Sequence, residues 1–404
     1  MRLNIHDIGH GGVGIGRHDG RVVFVRGALP GEVVDAEVTA EKSKFLNAVV
    51  TEVIEPSEYR VDHPWPDGAA GWTGAADFGH VSIKGQLALK TAVVRQNIRR
   101  IGGEDLAHEL DQVNERGGVS VRGVDSGDGW GTRTRVEVTK MDTGVGMYRE
   151  KSNDLVPITE MPLAVPDLAE LDMWGSAWDD IVVPGTRLKI VAPASGENVV
   201  VADDRVWSAP AVNADQYVWE RATTNDKIYD YRLSAGGFWQ VHERAPSTLL
   251  RAVLDGANAA PGEHVAELFS GAGLFTLPLA LTVGESGTVS AFDGSKQAVG
   301  DARYNLRDTP WARVDVRRID AAITPHIDAA DVVVADPPRS GLGQTTSAAI
   351  AKLPARRIVL VSCDPAAMAR DVAQLVTNGR KVISVDAIDI FPNTHHVEIV
   401  TVLD

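Results

Sequence analysis

The sequence contains a single cysteine, Cys363, at a position suited to nucleophilic chemistry. It follows the apolar run at 358–361 and precedes Asp364 and Pro365, where a helix over 365–375 is predicted to begin. The amide groups at a helix N-terminus favour a thiolate over a thiol, so this position predicts a lowered pKa for Cys363. A lone cysteine is more often a small buried apolar side chain, and the local sequence leaves that alternative open.

Asp336 follows a second apolar run, 331–335, and is itself followed by Pro337, Pro338 and Arg339. The prolines stiffen the chain, so the carboxylate would be held at the carboxyl edge of a sheet, where open α/β sheets bind ligands. Arg339 is suited to contact a phosphate or the edge of a planar base. A turn that only ends the strand is the alternative.

Two further carboxylates belong to predicted strands. Glu398 interrupts the apolar run 396–403, where burial would raise its pKa toward a value suited to proton transfer. A carboxylate on the solvated face of an edge strand is the alternative for Glu398. Asp293 ends the run 288–292 and could accept hydrogen bonds from a ribose diol, or it could cap a helix over 295–306.

A glycine loop with Gly271 and Gly273 follows the apolar run 265–268. Glycines let a ligand approach the backbone, and the predicted helix after the loop offers unpaired N–H groups. The spacing is not the full dinucleotide fingerprint, because Phe275 and Thr276 stand where a third glycine is expected. Turn geometry alone is therefore an open alternative.

The elements that would position these residues form an alternating pattern of strands and helices after residue 237. This pattern predicts a doubly wound, mostly parallel sheet covered on both faces. The predicted strands are 265–268, 288–292, 314–317, 331–335, 358–362, 382–389 and 396–403.

The first part of the chain has a different texture. Residues 1–56 alternate apolar and polar positions between glycine turns, which predicts a small β-barrel of a kind that commonly binds oligonucleotides or oligosaccharides. Residues 57–236 predict a central β-rich α+β domain that includes a helix over 83–101. The fold class is thus multidomain α/β, with domains at 1–56, 57–236 and 237–404.

The composition is that of globular material, with 44% hydrophobic and 24% charged residues. No apolar run approaches the roughly 18 residues needed to cross a bilayer, and the first residues lack the apolar segment of a secretory signal. We therefore expect a cytoplasmic protein without membrane contact. The single cysteine excludes a disulfide framework and a metal site built from several thiolates. The adjacent His395 and His396 would point to opposite faces of a strand, so no metal site is expected.

The net charge gives no general support for binding a polyanion. Lys and Arg total 40 against 55 Asp and Glu, a net charge of −15. A nucleic-acid partner would need local basic clusters, although each short cluster alone is more typical of a solvated surface. The candidate clusters are Arg95, Arg99 and Arg100; Arg133 and Arg135; and Arg313, Arg317 and Arg318.

The order of these motifs resembles that of the S-adenosylmethionine-dependent RNA 5-methyluridine methyltransferases. The likeness rests on the glycine loop, the DPPRSG motif from Asp336, the SCDP motif around Cys363 and the FPxTxHxE motif that ends at Glu398. Residues 11–34 resemble the family's N-terminal TRAM barrel, and residues 237–241 resemble its glutamine-containing cofactor segment. Nearly the whole chain is covered, with residues 105–125 the least recognisable.

The resemblance implies a role for each matching residue. Cys363 would be the nucleophile that adds to carbon 6 of uracil, and Glu398 the base that removes the carbon 5 proton. Asp336 and Arg339 would contact the substrate RNA, either rRNA or tRNA, at an exposed loop uridine. The residues implied at the S-adenosylmethionine site are Gln240, Phe269, Gly271, Gly273, Asp293, Asp320 and Asp336.

Three departures from the family pattern carry expectations of their own. Many members have four cysteines for an iron–sulfur cluster, but residues 63–74 contain none. No cluster is therefore expected, and packing around Trp65 and Trp72 is expected to replace it. Asp364 stands where Asn is usual and would place a negative charge beside the thiolate. Leu274 stands where Asn is frequent, so one polar cofactor contact is expected to be missing.

Two other functions stay open on the sequence. The acidic net charge, Asp364 and Leu274 favour a module that binds RNA without catalysis, and the same chemistry could methylate carbon 5 of cytosine. The sequence does not identify the RNA, the target nucleotide or the oligomeric state.

Overall fold

The computed structural model describes residues 1–65, 73–113, 118–124, 127–150, 152–327 and 329–404. The first strands are β1 (Arg2–Asn4), β2 (Asp7–Gly9), β3 (Val13–His18), β4 (Arg21–Arg26), β5 (Val33–Glu41), β6 (Phe45–Glu55) and β7 (Val121–Gly123). The next strands are β8 (Arg135–Lys140), β9 (Val145–Tyr148), β10 (Leu155–Ile158), β11 (Arg187–Val191), β12 (Val199–Ala202), β13 (Arg205–Ala209), β14 (Val212–Asn213), β15 (Tyr217–Thr223) and β16 (Ile228–Ser234). The last strands are β17 (His264–Leu268), β18 (Thr288–Asp293), β19 (Ala312–Val316), β20 (Val332–Ala335), β21 (Arg357–Ser362), β22 (Val382–Asp389) and β23 (Glu398–Leu403).

The described α-helices are α1 (Ile83–Asn97), α2 (Glu104–Val113), α3 (Ala245–Ala257), α4 (Thr276–Val283), α5 (Lys296–Asn305), α6 (Gln344–Ala351) and α7 (Pro365–Thr377). A π-helical turn, Ile98–Gly102, continues α1, and 3₁₀ helices span Pro166–Leu171 and Ala321–His326. Among the described helices, none combines the length and the apolar character needed to cross a membrane.

The N-terminal strands form one six-stranded sheet in the order β1-β5-β6-β4-β3-β2, as predicted for a small barrel. Alternate residues such as Val23 and Val25 point into an apolar core of its own. The turn after β2 packs tightly against later parts of the chain. A Cβ on Gly12 would lie 2.6 Å from the Phe78 ring and 2.9 Å from Cβ of His395. The barrel is therefore in direct contact with the loop that precedes Glu398.

The central sheet has the order β10-β9-β8-β11-β12-β13-β14 and is antiparallel throughout. Its apolar face packs around three tryptophans that are almost fully buried, Trp65, Trp178 and Trp207. A separate hairpin, β15–β16, leads from this sheet to the segment at 237–240.

The largest sheet has the order β19-β18-β17-β20-β21-β23-β22-β7. Its strands are parallel except β23, which is antiparallel to both neighbours. Adjacent residues of β20 enter different apolar cores, Val332 and Val334 one core and Val333 and Ala335 the other. Helices therefore cover both faces, and the predicted doubly wound domain is confirmed in the described residues.

Part of the predicted central domain is packed into this sheet. Strand β7 pairs with β22, and side chains of α1 and α2 share an apolar core with those of α7. The division at residues 57 and 236 stays a prediction, but the described part of 83–123 contributes to the largest sheet. The pairing of β7 with β22 joins segments that are far apart in the sequence, and such a short strand gives no local signal for it.

Candidate active site

A cavity of about 1000 Å³ opens at the carboxyl ends of β17, β18, β20 and β21. This is the edge at which an open parallel sheet binds its ligands. The predicted site residues that line the cavity are Gln240, Phe269, Gly271, Asp293, Asp336, Arg339, Cys363 and Glu398. The structure thus brings together residues from five different strand ends.

The glycine loop follows β17 in a conformation that restricts residue choice. Phe269, Gly271 and Gly273 all have positive φ values, of 62°, 54° and 93°. For Phe269 this left-handed conformation costs roughly 1–2 kcal/mol, because its Cβ crowds the following carbonyl group. A conformation of that cost is typical of a residue held for a ligand.

Asp293 fixes the same loop from the end of β18. Its Oδ2 atom accepts a hydrogen bond of 2.9 Å from the Gly271 amide, and its Oδ1 atom accepts one of 2.7 Å from the Ser295 amide. The cap of α5 is Ser295, whose hydroxyl accepts from the Ala298 amide. Asp293 therefore faces the cavity, and the alternative in which it caps the helix is wrong.

The other predicted cofactor residues have distinct positions. Gln240 is buried and lines the cavity, whereas Gly273 turns the chain into α4 behind it. Asp320 is not among the lining residues. Its carboxylate accepts from the Ala322 amide at 2.9 Å and lies 3.3 Å from the Arg318 guanidinium. A cofactor contact by Asp320 or Gly273 stays a prediction.

Glu267 is a candidate functional residue that the sequence reasoning missed. It is 1% exposed near the end of β17, and neither carboxylate oxygen has a hydrogen-bond partner among the described residues. Burial raises its pKa to about 8, and the carboxylates of Asp336 and Asp293 add to the rise. The nearby Thr276 hydroxyl offsets only part of this shift. The available signal was an acidic residue inside an apolar strand, the same signal that selected Glu398.

Cys363 lies between the end of β21 and the start of α7, as predicted. The predicted lowering of its pKa is wrong for the protein without ligands. Burial raises the pKa of Cys363 to about 12, and the carboxylates of Glu398 and Asp336 contribute to the rise. Arg339 acts in the opposite direction but does not compensate. The fold brings two carboxylates to the thiol that the local sequence does not show.

Asp364 has a structural role beside the thiol. Its Oδ1 atom accepts from the Ala367 amide at 2.8 Å and caps α7, and its Oδ2 atom lies 3.3 Å from Nε2 of His10 in the barrel. These two contacts therefore partly compensate the negative charge of Asp364 that was expected beside the Cys363 thiolate.

Glu398 is the first residue of β23, an internal strand between β21 and β22, so the edge-strand alternative is wrong. It is 4% exposed, and its Oε1 atom has no partner among the described residues. Burial raises its pKa well above the ordinary value, and Asp336 adds to the rise. Burial also raises the pKa of Asp336. The predicted direction for Glu398 is confirmed.

His395 and His396 lie in the loop before β23, not in a strand, so the reason given for excluding metal was wrong. Their rings are 4.0 Å apart. Nε2 of His396 lies 3.0 Å from a guanidinium nitrogen of Arg339, and burial, together with His395 and Arg339, lowers the His396 pKa to about 2. His396 is therefore neutral. Within the described part of the chain, no group of three or more acidic, histidine or cysteine side chains could hold a metal ion.

The predicted basic clusters differ in availability. Arg135 is buried in an ion pair with Glu220 at 2.6 Å, and Arg133 donates to the Ala75 carbonyl. Arg318, by contrast, lines the main cavity, and Arg95, Arg99 and Arg100 line a second, open cavity of about 610 Å³.

The described residues at the two ends of the segment without cluster cysteines make hydrogen bonds and pack into the central core. Nδ1 of His63 accepts from the Trp65 amide at 3.1 Å, and Nε2 lies 3.1 Å from the Ala76 carbonyl oxygen. Trp65 is buried in the core of the central sheet, whereas Trp72 lies outside the described residues. The expected packing role is therefore observed for Trp65, and His63 adds a link between the two sides of the segment.

Sequence comparisons match both ends of the chain to known domain families. Residues 1–51 match the TRAM domain, and residues 327–404 match the tRNA (Uracil-5-)-methyltransferase family. An uncharacterized RNA methyltransferase of Bifidobacterium longum is 36% identical over 95% of this chain and 91% of its own length. Another from Streptomyces avermitilis is 33% identical over 100% of this chain and 97% of its own.

Two more distant relatives have names that specify an RNA. The 23S rRNA (uracil(1939)-C(5))-methyltransferase RlmD of a Shewanella species is 27% identical over 98% of this chain and 94% of its own. The crystal structure of the Pyrococcus abyssi tRNA (uracil-54, C5)-methyltransferase, in complex with S-adenosyl-L-homocysteine, is 23% identical with a TM-score of 0.70. The match covers 100% of both chains. This structural likeness extends the agreement in fold to the whole chain.

Proposed function

Because the chain belongs to the RNA methyltransferases that join a TRAM domain to a tRNA (uracil-5-)-methyltransferase domain, we propose that it methylates one uridine through a covalent cysteine adduct. The methyl donor is S-adenosylmethionine, and the target is carbon 5 of an exposed uridine in rRNA or tRNA. The observation that carries this proposal is the meeting of Cys363, Asp336 and Glu398 in one cavity with the glycine loop.

The cofactor side of the cavity fits a positively charged donor. Asp293 and Asp336 line the cavity beside the glycine loop, and Glu267 is buried near the end of β17, where both of these carboxylates affect its pKa. Burial raises the pKa of Glu267 to about 8 and that of Asp336 to about 7. When bound, S-adenosylmethionine supplies an activated methyl group on a sulfonium centre, and its ammonium group adds a second positive charge. Positive charge nearby favours the ionised forms of carboxylates and thiols. The same contacts would lower the pKa of Cys363 from its raised value.

Cys363 makes carbon 5 reactive. Its thiolate sulfur would form a bond to carbon 6, and the electron pair of the carbon 5–carbon 6 double bond would form the new bond from carbon 5 to the methyl group. The bond between the methyl group and the donor sulfur would break at the same time, and S-adenosylhomocysteine would leave. A serine would be unsuitable, because an alkoxide is scarce at neutral pH and leaves poorly.

Glu398 completes the reaction. Its carboxylate takes the proton from carbon 5, the electrons of that C–H bond restore the double bond, and the carbon 6–sulfur bond breaks to release the thiolate. The internal strand position and the unpartnered Oε1 atom support this role.

The mouth of the cavity suits a single unstacked base. Phe238 is 75% exposed there, which is unusual for a phenylalanine, and its ring offers a face on which a neighbouring base can stack. Arg339 is held by neutral His396 and presents further N–H donors to the cavity. Unstacking a paired uridine costs a few kcal/mol, so loop uridines are favoured. We infer that the reaction takes place in the cytoplasm, where rRNA and tRNA are both present.

The test is methyl transfer from labelled donor to rRNA and tRNA, followed by nucleoside mapping. We expect labelled 5-methyluridine with the native protein and none with Cys363→Ala. Equilibrium dialysis with S-adenosylmethionine is the control for folding, because the variant retains the whole glycine loop. Full activity of Cys363→Ala would refute the adduct, and labelled 5-methylcytidine would refute uridine as the target.

A further inference from the structure

The loop at 390–397, which we call the base loop, joins β22 to β23 and leads directly to Glu398. Ile388 of β22 pairs with Glu398 of β23, so the base loop closes the hairpin on which Glu398 lies. The loop contains no helix or strand, and Asn393 within it has a positive φ of 63°. Thr394 donates to the Phe391 carbonyl within the loop, and contacts from other parts of the chain also hold the loop.

Several of those contacts come from residues 77–90, which are far from the hairpin in sequence, and Asn393 also donates to the Asp128 carbonyl at 3.2 Å. Nζ of Lys90 donates to Oδ1 of Asp389 at 2.6 Å and to the Phe391 carbonyl at 3.1 Å. One turn earlier on α1, Gln86 exchanges two hydrogen bonds with Asn393. The Gln86 amide nitrogen donates to Asn393 Oδ1 and the Asn393 backbone amide donates to Gln86 Oε1, both at 2.8 Å.

Asp77 holds the end of the base loop nearest Glu398. Its Oδ1 atom accepts from the His395 amide at 3.2 Å, and its Oδ2 atom lies 2.5 Å from Nδ1 of His395. The His395 ring lies against His396, which contacts Arg339 in the cavity. Asp77 is thus connected to the substrate side of the cavity through two histidine rings.

The burial of these groups requires an explanation. Lys90 is 1% exposed and Gln86 is fully buried, although both lie on a helix whose other buried positions are mostly small or apolar. Removing an ammonium group and a carboxylate from water is costly, and an apolar pair of similar size is often at least as stable. Stability alone therefore does not account for them. What they do is direct hydrogen bonds to specific atoms of the base loop.

We propose that Asp77, Gln86 and Lys90 are positioning residues for Glu398. They hold the base loop so that the Glu398 carboxylate meets the carbon 5 proton after methyl transfer. The inference rests on the proposed function. It adds that methyl transfer and elimination depend on different parts of the structure. The nucleophile Cys363 follows a different strand, β21, and lies outside the base loop. Loosening the loop should therefore slow elimination more than methyl transfer.

The test is single-turnover kinetics with the full chain, labelled S-adenosylmethionine and a substrate RNA. Gln86→Met keeps the side-chain length and removes both bonds to Asn393. We expect release of methylated RNA to slow by about tenfold or more, as a small misplacement of a catalytic group does. Methyl transfer should change by less than about twofold. A labelled protein–RNA adduct that survives denaturing gel electrophoresis should then accumulate.

Gln96→Met is the matched control. Gln96 lies on the same helix but donates to Asp7 of the barrel at 3.0 Å, and its replacement should leave release unchanged. Asp77→Asn provides a second variant that keeps an acceptor for the His395 amide, and it should also accumulate adduct. If Gln86→Met does not fold, as judged by thermal unfolding, Asp77→Asn decides the question.

The outcomes separate the two proposals. Release at the native rate in the folded variants, or equal slowing of transfer and release, would overturn the positioning role. Absence of methyl transfer by the native protein, or retained activity in Cys363→Ala, would instead overturn the proposed function.

Discussion

The two halves of the cavity are built in different ways. The cofactor half includes Phe269, Gly271 and Asp293, which lie within two successive strand units and are joined by bonds such as the one that the Gly271 amide donates to Asp293. In the substrate half, Cys363 directly follows β21 and Glu398 begins β23. The loops of this half are held by residues of the barrel and of α1 and by Asp77. A local unit thus binds the donor, and a composite of distant segments aligns the chemistry on RNA.

This difference has a physical consequence. Groups on adjacent strands of one parallel sheet are placed by the sheet register itself. A loop that is fixed by distant side chains depends instead on the docking of whole segments. The contact between His10 and Asp364 beside Cys363, at 3.3 Å, extends the same dependence to the barrel. Changes in the two halves should therefore affect different steps.

The largest difference between the effects on turnover and on donor affinity is expected for Glu398→Gln. The variant keeps the shape of the substrate half but removes the base, so turnover should fall by about 10²–10⁴-fold. One round of methyl transfer should remain, and the affinity for S-adenosylmethionine should be unchanged. Single-turnover labelling and equilibrium dialysis measure these quantities. A large loss of donor affinity would show that the two halves are not independent.

For Asp293→Ala in the cofactor half we expect a smaller effect, which falls on the affinity for S-adenosylmethionine and not on elimination. Removing the carboxylate frees the amides of Gly271 and Ser295, and hydrogen bonds to charged groups contribute about 1.5–3 kcal/mol. The dissociation constant for S-adenosylmethionine should rise by about 10- to 100-fold. At saturating donor, the amount of released methylated RNA relative to the amount of protein–RNA adduct should be the same as in the native protein. A change in this ratio would show that the two halves of the cavity do not act on separate steps.

A third expected effect, on stability and not on a reaction step, is a pH dependence that arises from Glu267. Its folded pKa of about 8 lies above the ordinary value of 4.5, so its contribution to stability is fully present below pH 4.5 and is lost as the pH rises toward 8. The loss is at most about 1.4 kcal/mol per pH unit. Glu267→Gln lacks this slope and should be more stable than the native protein by an amount that grows from pH 5 to pH 8. Thermal unfolding at several pH values measures it, and a constant difference would contradict the shift.

Local signals in the sequence placed residues of both halves at strand ends, but they did not reveal the distant contacts that hold the substrate half. The run at 382–389 coincides with β22, and Asp293 and Cys363 lie at strand ends as expected, because hydrophobic periodicity is a local signal. Glu267 was missed although its signal was present in the strand. The roles of Gln86 and Lys90 could not be predicted, since their partners lie about 300 residues later in the chain.

The pKa of Cys363 shows most clearly what local sequence cannot predict. The helix N-terminus that the sequence indicates does favour a thiolate. The structure adds burial and two carboxylates, from Glu398 and Asp336, and these reverse the shift. Only the three-dimensional arrangement brings those side chains to the sulfur. We therefore propose that the bound donor activates Cys363.

The most direct measurement uses a substrate RNA that carries 5-fluorouridine at the target position, together with S-adenosylmethionine. Fluorine leaves no proton on carbon 5 for Glu398 to remove, so elimination cannot follow methyl transfer. We expect a stable complex of one RNA per chain, with the modified base mapped by mass spectrometry to Cys363. If the native protein forms no trapped complex, or if Cys363→Ala forms one, the covalent cysteine adduct is refuted.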